Sequence, residues 1–383
     1  MTEMTFGARP ERAAQPFDGA ILERWWRSVD QWSLWAIGGL FLIGMVTGLA
    51  ASPPLADRLG LPHFYFVTRQ AVFGVAALGL MALVSMATPA QVRRVSVIGF
   101  GVWFVAILLL PFFGTDFGKG AVRWFSFGVG SVQPSEFLKP FFAVFGAWLL
   151  SASADENGPP GALLSFLVTT AVAACLALQP DFGQAALILA IWGAMYFVAG
   201  APVALFVGLA GAVGAVGWAA YSSSAHFARR IDAFLAADVE PLTQLGFATD
   251  AIRAGGLFGV GVGEGTVKWS LPDAHTDFII AVVAEEYGLF AVLLILALYT
   301  FIVARAALRL LGETDAFIRL AGLGLAVLFG LQALVNMGVA IRLFPAKGMT
   351  LPLISYGGSS VLAVGFGLGM LLALTRRRRG GPA

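Results

Sequence analysis

The sequence predicts an all-α polytopic membrane protein with about ten transmembrane helices. Apolar residues (A, V, I, L, M, F, W, Y and C) make up 58% of the 383 residues, and glycine adds another 47. The mean hydropathy is +0.84. Ordinary globular chains are roughly 45–50% apolar with glycine already counted. An excess of this size is typical of chains whose helices face lipid.

Ten apolar segments support the predicted helix count. A transmembrane helix needs about 20 residues, with a tolerated range of about 17–25. The fourth segment lies at the short end of that range, and the eighth exceeds it. The segments are 32–51, 68–87, 95–113, 135–151, 161–178, 182–200, 202–221, 278–304, 317–341 and 358–375.

Arginines near the segment ends predict the orientation. With ten spans they lie on one side, and positive charge favours the cytoplasm. The sequence therefore divides into a cytoplasmic tail over 1–30, a transmembrane domain over 31–376 with a large outer loop at 222–277, and a cytoplasmic tail over 377–383. The polar N-terminal tail predicts no cleavable signal peptide. The arginines are Arg9, Arg12, Arg24, Arg27, Arg93, Arg94, Arg305, Arg309, Arg319 and Arg376 to Arg379.

Positive charge also occurs on the predicted outer side, where all four lysines lie. Scattered solubility charges and snorkelling side chains are one explanation. A site for an anionic substrate is the other, and phosphate suits arginine and lysine best. A net charge of only +2 argues against nucleic acid as a partner. The single cysteine, Cys175, excludes an internal disulfide.

Two polar stretches border the apolar segments on the predicted outer side. In GAVRWFSFGVGSVQPSEFLKP, Glu136 and Lys139 stand at i and i+3 on one helix face and can form a local ion pair. Alternatively, Lys139 joins Arg123 in an anion site. In QPDFGQ, Asp181 can cap the following helix, and Gln184 can complete a capping box.

Two glycine-rich stretches indicate different structures. GGLFGVGVGEG lacks the spacing of a nucleotide-binding loop, so a flexible or tightly turned loop is expected. PAKGMTLPLISYGGSS breaks any continuous helix before the tenth segment, and irregular backbone at membrane depth requires burial in protein or a wet cavity. Its Ser359 and Ser360 begin a helix whose free N–H groups suit an anion. A simple N-cap with glycine turns is the alternative.

The stretch LPDAHTDFIIAVVAEEYG places several acids at the start of an apolar segment. Pro272 and Asp273 are typical of a helix start, which puts Asp277 about one turn inside the helix. Glu285 and Glu286 lie roughly 12 Å deeper at 1.5 Å per residue. Carboxylates inside a membrane are costly and are functional candidates by default. Structural pairing with another buried polar group explains these two glutamates equally well.

Together these stretches resemble the SEDS family (shape, elongation, division and sporulation) of glycosyltransferases. Five landmarks agree in order across about residues 30–376: GAVRWFSFGVGSVQPSEFLK, QPDFG, LPDAHTDFIIAVVAEEYG, NMG and PAKGMTLPLISYGGSS. The sequences of these landmarks are most similar to those of the septal member of the family, and next to those of the elongation member. One loop departs from the family, because RRIDAFLAADVEPLTQLGFATDAI lacks the usual glycine–tyrosine–glutamine signature. No role is carried over onto that loop.

The resemblance implies a SEDS-type fold and a set of site residues. Asp277 matches the family's essential aspartate, which makes it the candidate catalytic base or, alternatively, a metal ligand. The other matches lie around the family's central cavity and are candidate substrate-binding residues. They are Arg123, Glu136, Lys139, Lys268, His275, Lys347, Ser355, Gly357, Gly358 and Ser359.

The resemblance also implies a function. Members of the family polymerise lipid II, an undecaprenyl diphosphate-linked disaccharide peptide, into glycan strands on the outer face of the bacterial inner membrane. They work with a class B penicillin-binding protein transpeptidase, and the septal member also works with other division proteins at the septum. The expected partners are therefore lipid II, the transpeptidase, division proteins and membrane lipids. Arginine and lysine, or a divalent cation (Mg²⁺ or Mn²⁺), can stabilise the leaving diphosphate.

Two functions of other classes fit parts of the sequence. Acids within the membrane and broken helices also suit a lipid II flippase. However, the polar residues concentrate toward the outer face, whereas a flippase needs access from both sides. A scaffold that only recruits partners would leave Asp277 and Lys347 unexplained. Within the family, an elongation-type polymerase is the alternative to the septal one.

Overall fold

The computed structural model describes residues 21–116, 121–127, 130–153, 158–200, 203–223, 225, 228–229, 231–232, 243–345 and 348–377. Over these residues the chain forms twelve helices, a 3-10 turn (Val267–Trp269) and a short antiparallel hairpin of β1 (Phe125–Ser126) and β2 (Ser131–Val132). The helices are α1 (Ile21–Ser28), α2 (Gln31–Arg58), α3 (Tyr65–Ser85), α4 (Pro89–Phe113), α5 (Pro134–Ala152), α6 (Gly161–Leu178), α7 (Phe182–Val198), α8 (Val203–Ser223), α9 (Gln244–Gly255), α10 (Ile279–Leu311), α11 (Ala316–Ala340) and α12 (Gly358–Leu374).

A helix occupies each of the ten predicted apolar segments. Six of these helices, α2, α3, α4, α6, α10 and α11, are long and apolar enough to cross a membrane. Helices α7 and α12 are also apolar but have 17 residues each. The all-α membrane architecture is therefore confirmed, and the count of ten spans stays a prediction.

The helix that follows the acid-rich stretch begins later than predicted. Asp273 adopts a left-handed conformation with a φ of 53°, and its carbonyl accepts hydrogen bonds from the amides of Thr276 and Asp277, both at 3.1 Å. Residues 272–278 form turns, and α10 begins only at Ile279. The predicted helix start is wrong because a residue with positive φ cannot continue a right-handed helix. Asp277 therefore lies in a turn.

Helix α10 is interrupted at Gly288, whose φ of 77° and ψ of −176° are accessible essentially to glycine alone. The glycine-rich loop covers this break. Leu289 donates its amide to the carbonyl of Gly256 (3.0 Å), and Val260 donates to the carbonyl of Glu285 (2.9 Å). These bonds satisfy backbone groups that a broken helix would otherwise leave unpaired. Of the flexible and the tightly turned loop that the sequence leaves open, the structure shows the tightly turned one.

We expect Gly288→Ala to destabilise the protein by about 1–3 kcal/mol through backbone strain. The added Cβ would also overlap the carbonyl oxygen of Leu257 and the amide nitrogen of Gly259. Thermal unfolding of the purified protein in detergent measures the loss. Gly79→Ala is the matched control, because a Cβ on this helical glycine meets nothing within 4 Å. Equal losses in the two variants would contradict the explanation.

The packing of the helices assembles one polar end of the bundle. Most of α5, α11 and α12 is buried, whereas α4 and the second half of α10 expose apolar side chains. Helix α12 lies close against α3, and a Cβ on Gly365 would stand 2.5 Å from the carbonyl oxygen of Ala77. Only glycine permits this approach. The starts of α3, α5 and α12 consequently meet at the same end, together with the irregular segments 272–278 and 348–357.

Candidate active site

A cavity of about 1360 Å³ lies at the end of the bundle where α3, α5 and α12 begin. Its wall includes these helix starts, the β1–β2 hairpin, the turn 272–278 and parts of the segment 348–360. Pockets for drug-sized ligands are about 300–1,000 Å³, so this cavity has room for a larger substrate. Its lining includes arginines, carboxylates and aromatic rings, namely Arg69, Arg123, Glu136, Asp273, Asp277, Phe73, Trp124, Phe127, Phe137 and Tyr356.

The cavity brings together most of the residues predicted from the sequence. Those in the wall are Asp277, Arg123, Glu136, His275, Gly357, Gly358 and Ser359. Lys139, Lys268 and Ser355 are buried away from this wall. Lys347 lies outside the residues that the structure describes, so its predicted role in substrate binding stays a prediction.

Asp277 is held at the cavity wall through its backbone. Its amide donates to the carbonyl of Asp273 (3.1 Å), and its carbonyl accepts from Nδ2 of Asn336 (3.0 Å). The same Nδ2 donates to the carbonyl of Met349 (2.6 Å). Asn336 belongs to the NMG stretch and is buried in α11. It therefore ties the Asp277 turn to the segment that begins at Gly348, where an added Cβ would stand 3.4 Å from Oδ2 of Asp277.

A second set of hydrogen bonds joins the same two segments. Ser355 is fully buried, donates its hydroxyl to the carbonyl of Thr276 and accepts the amide of Leu351 (2.8 Å). Tyr356 donates its amide to the carbonyl of His275 (2.9 Å). Although Ser355 is predicted to bind substrate, its hydroxyl is used within the protein. It holds the turn that carries His275 against the segment before α12.

Glu136 and Lys139 form the ion pair that their spacing predicts, with Nζ 2.9 Å from Oε1. The pair belongs to a closed ring of hydrogen bonds below the cavity. Lys139 also donates to Oε1 of Gln332 (3.0 Å), whose Nε2 donates to the carbonyl of Thr350 (3.1 Å). The hydroxyls of Thr350 and Ser360 are 2.6 Å apart, and Ser360 donates to Oε2 of Glu136 (2.9 Å). The structure thus pairs Lys139 with a carboxylate instead of presenting it to the cavity.

Lys268 is also paired within the protein. Its Nζ donates to a carboxylate oxygen of Glu286. The amides of Val267 and Lys268 donate to the two carboxylate oxygens of Glu285, at 2.7 and 3.0 Å. The two deep acids of α10 therefore have structural partners, which is one of the two alternatives that the sequence leaves open. Lys268 neutralises one of them and does not reach the cavity wall.

Arg123 is oriented by the turn before α7. Its Nε donates to the carbonyl of Gln179 (3.0 Å), and Nη2 donates to the carbonyl of Pro180 (2.7 Å). Asp181 accepts the amide of Gln184 (3.5 Å), as predicted for the helix cap. The predicted capping box is wrong, because the Asp181 amide donates to the carbonyl of Leu176 (2.9 Å) instead of to the Gln184 side chain. The Gln184 side chain turns toward α5, where its Nε2 donates to Oε1 of Glu136 (2.7 Å). Burial raises the pKa of Asp181, and the positive charge of Arg123 opposes that rise.

Arg69 and Tyr356 also line the cavity. The sequence places Arg69 among the cations of the predicted outer side and Tyr356 within the SYGGSS stretch, but neither is one of the named candidate site residues. The Arg69 guanidinium lies 5.6 Å from the ring centroid of Tyr65 and 5.9 Å from that of Phe73. Burial raises the pKa of the Tyr356 phenol, and the charge of Arg69 acts against that rise. The sequence signal that could have identified Arg69 is its position in the first turn of an apolar segment. A charge at that position is costly unless it faces protein or water.

A divalent cation in this cavity stays a prediction. Within the described part of the chain, no three His, Cys, Asp or Glu side chains cluster as a protein-only metal site requires. Mg²⁺ commonly takes one or two carboxylates and completes its shell with water and substrate phosphates. Asp277 is the residue in the wall that would hold such an ion. The ion would supply charge neutralisation at a diphosphate.

Comparison with known proteins decides the family. The family model for FtsW, RodA and SpoVE, described as cell cycle protein, matches residues 31–380. The chain belongs to this family. Among its FtsW relatives, a probable peptidoglycan glycosyltransferase FtsW from Caulobacter vibrioides is 41% identical over 364 residues, which cover 95% of this chain and 93% of the relative. A protein of the same description from Halorhodospira halophila is 37% identical over 361 residues, covering 91% and 90%.

Solved structures share the fold of this chain. One solved chain comes from a structure described as "Structural coordination of polymerization and crosslinking by a peptidoglycan synthase complex". It matches with a TM-score of 0.76 and 28% identity, and the match covers 91% of this chain and 97% of that chain. The rod shape determining protein RodA of Thermus thermophilus has a TM-score of 0.68 and 28% identity with the same coverage. The expected SEDS-type fold is confirmed.

Proposed function

We propose that this family member is a peptidoglycan glycosyltransferase, which polymerises lipid II into glycan strands on the outer face of the bacterial inner membrane. One observation carries the proposal: a large cavity at one end of an apolar bundle has the Asp277 carboxylate and two arginines, Arg69 and Arg123, in its wall. A substrate with a diphosphate and a polyprenyl tail requires such a polar cavity beside lipid. Relatives 41% and 37% identical are described as glycosyltransferases of this kind, which supports the proposal.

In the proposed reaction, Asp277 is the general base. The 4-hydroxyl oxygen of the acceptor sugar attacks the anomeric carbon of the donor, and the Asp277 carboxylate takes the hydroxyl proton. A glycosidic C–O bond forms as the bond from the anomeric carbon to the diphosphate oxygen breaks, and the diphosphate leaves with the electron pair. Asp277 suits this role because it lines the cavity and its backbone is fixed by Asn336. General bases contribute about 10²- to 10⁴-fold.

The leaving diphosphate needs positive charge in the wall of the cavity. The two hydrogen bonds of Arg123 go to uncharged carbonyl oxygens, so they orient the guanidinium without neutralising it. A charge that is fixed before the reaction stabilises a developing anion at no cost of reorganisation. Arg123 therefore contributes to the electrostatic part of catalysis.

Purified protein in proteoliposomes with lipid II tests the proposal. We expect glycan polymer to form. Transfer of lipid II between leaflets without polymer would instead indicate a flippase. The described cavity lining belongs to one end of the bundle, which favours the polymerase. The same assay with a class B penicillin-binding protein measures how far that partner raises the rate.

The proposed cellular setting is the division septum, where the protein would act with a class B penicillin-binding protein and other division proteins. The sequence landmarks, which are most like those of the septal member of the family, support a septal role. A structural neighbour that belongs to a peptidoglycan synthase complex supports a crosslinking partner. Purification from membranes in mild detergent tests the complex, and failure to recover a transpeptidase would argue against it.

We further propose that both termini are cytoplasmic. Helix α10 runs from the cavity toward Arg305 and Arg309, which bind the buried Asp30 at the start of α2 (2.8 and 2.9 Å). Arginines are thus concentrated at the end of the bundle opposite the cavity, and positive charge favours the cytoplasmic side. The cavity and the loop 222–277 would then face outward.

Cysteine labelling checks this orientation. In a variant that lacks Cys175, a membrane-impermeant thiol reagent added from outside should label a cysteine placed at Ser223. It should not label a cysteine placed at Gly380. Labelling of both positions after detergent permeabilisation is the control for reactivity. The reverse pattern in intact cells would invert the topology and place the cavity in the cytoplasm.

A further inference from the structure

We propose that Arg305, Arg309 and Arg377 form a binding site for the phosphate of an anionic phospholipid. The three arginines lie at the end of the bundle opposite the cavity, because α10 and α12 begin at the cavity and end near them. Three features support the site: an excess of positive charge, guanidinium nitrogens that the protein leaves unused, and a position that faces lipid. The ligand is a lipid of the surrounding bilayer, so the site is independent of the proposed active site.

The three arginines share one buried carboxylate. Asp30 accepts hydrogen bonds from Nε of Arg305 (2.8 and 3.0 Å) and from Nη2 of Arg309 (2.9 Å). The like charges of Arg305 and Arg377 both act on Arg309. Among the described residues, Asp30 is the one carboxylate that forms an ion pair with any of the three. The carbonyl of Thr375, which accepts from Arg309 (3.0 Å), adds only the partial negative charge of a helix end. An excess of positive charge therefore remains for an anion to neutralise.

Two of the guanidinium groups have nitrogens without a hydrogen bond to any residue that the structure describes. Arg305 uses only its Nε, which leaves Nη1 and Nη2 for a ligand, and its side chain is 33% exposed. Arg377 is exposed, and its hydrogen bond to the carbonyl of Ser28 (3.0 Å) uses the backbone amide. A guanidinium presents its donors in a planar fork that matches phosphate oxygens. These nitrogens can therefore donate to a phosphate.

Arg305 lies on a face of α10 that is otherwise apolar and exposed. Phe301 precedes it by one helical turn, Leu308 follows it by nearly one turn, and both side chains are exposed. Residues at i, i+4 and i+7 share one face of a helix. On a membrane helix such a face contacts lipid, where an arginine is costly unless its guanidinium reaches the headgroups. Arg305 consequently extends from a lipid-facing surface toward the layer of phospholipid phosphates.

Tryptophans indicate that this end of the bundle lies at headgroup depth. Trp32 and Trp35 are exposed and share one face in the first turns of α2, which begins directly after Asp30. Tryptophan is enriched where the hydrocarbon core of a membrane meets water. A dissolved phosphate would make no use of these apolar surroundings, whereas the acyl chains of a lipid would contact them. The position therefore favours a phosphate that is carried by a lipid.

The test measures lipid binding to the full-length protein in detergent by native mass spectrometry, which separates the free protein from the protein with one bound lipid. Phosphatidylglycerol is the anionic probe, and phosphatidylcholine with the same acyl chains is the probe without net charge. Arg377→Gln removes one charge and keeps both ion pairs of Asp30. It should raise Kd for phosphatidylglycerol at least about fivefold, the contribution of one basic residue beside anionic lipid. Kd for phosphatidylcholine should change by less than about twofold.

The double variant of Arg305→Gln with Arg377→Gln should raise Kd for phosphatidylglycerol at least about tenfold, since charge-assisted hydrogen bonds are lost. It also removes one partner of Asp30, so thermal unfolding must show that it is folded. If it is not, Arg377→Gln alone decides the test. Arg94→Gln is the matched control, because this exposed arginine lies near the start of α4 at the same end of the bundle. It should leave Kd within about twofold of the wild type.

Equal losses of affinity in Arg94→Gln and Arg377→Gln would overturn the proposal, because general attraction to a basic surface would then explain the binding. Unchanged affinity in Arg377→Gln, or equal affinity of the wild type for the two lipids, would also overturn it. Glycerol phosphate, added as a competitor, distinguishes the two sources of phosphate. Displacement of phosphatidylglycerol by an equal concentration of glycerol phosphate would mean that the site binds a dissolved anion rather than a lipid.

Discussion

Asp277→Asn should polymerise lipid II at least about a hundredfold more slowly than the wild-type protein while retaining its fold. A hundredfold corresponds to about 2.7 kcal/mol in the barrier. The amide of asparagine cannot take the proton of the acceptor hydroxyl, whereas a carboxylate can. The hydrogen bonds to Asp273 and Asn336, which hold this turn, use the backbone of residue 277 and are kept in the variant.

The measurement is the initial rate of polymer formation by purified variants, with thermal unfolding to show that they are equally folded. Asp273→Asn is the matched control. It lies in the same turn and cavity wall, and asparagine tolerates its positive φ of 53°. We expect this control to keep most of its rate. Near-normal polymerisation by Asp277→Asn, or equal losses in the two variants, would show that Asp277 is not the base.

The helices were predictable because a lipid-facing chain needs long apolar runs, and such runs are visible without knowledge of their packing. The ends of the helices were harder to predict from the sequence. Helix α2 continues through Pro53 and Pro54 to Arg58, beyond the predicted end at residue 51. Neighbouring protein can compensate for the hydrogen bonds that proline removes from a membrane helix. That compensation depends on tertiary contacts, which a single sequence does not reveal.

The turn before α10 was missed for a related reason. Pro272 and Asp273 are common at helix starts, and nothing local indicates that Asp273 adopts positive φ. The break at Gly288 was hidden within an apolar run, because one glycine in a helix is usually tolerated. The loop 255–263 satisfies the broken backbone, and that contact joins parts of the chain about thirty residues apart.

Charged residues stand out in an apolar chain, and the family resemblance supplies the named candidate site residues, most of which line the cavity. The sequence could not say which cations face the cavity. Lys139 bonds to Gln332, 193 residues later, and Lys268 pairs with Glu286, 18 residues later. Asn336 donates a hydrogen bond to the backbone carbonyl of Asp277, which lies 59 residues earlier in the chain. Such partnerships are set by the fold, so motif spacing alone cannot separate a lysine in a buried pair from one that binds substrate.

Lys139→Met should lower the free energy of unfolding by about 3–5 kcal/mol, the range for removing one partner of a buried ion pair. The side chains of Lys139 and Glu136 are only 3% and 4% exposed. Glu136 would therefore keep a buried charge without its neutralising partner. The hydrogen bond from Lys139 to Gln332 would also be lost. Unfolding of the purified variants in a series of detergent mixtures measures the change in the free energy of unfolding.

Arg27→Met is the control for removing a cation from an ion pair that water can reach. Arg27 and Glu23 are 63% and 51% exposed, so their pairing is screened. Exposed pairs contribute about 0–1 kcal/mol. We therefore expect the control to unfold near the wild-type midpoint. A similar loss in Arg27→Met and Lys139→Met would mean that burial of the Glu136–Lys139 pair is not the cause.

The double variant Glu136→Gln with Lys139→Met distinguishes a buried unpaired charge from a general loss of packing. Glutamine keeps a side-chain oxygen that can accept from Ser360 and carries no charge, so the desolvation penalty of Glu136 disappears. The double variant should therefore be more stable than Lys139→Met, with a coupling of about 0.5–3 kcal/mol between the two sites. If the losses of stability caused by Glu136→Gln and Lys139→Met simply add, the ring of hydrogen bonds below the cavity stabilises the protein through side-chain packing rather than through charge. Lys139 would then be replaceable by any side chain of its size.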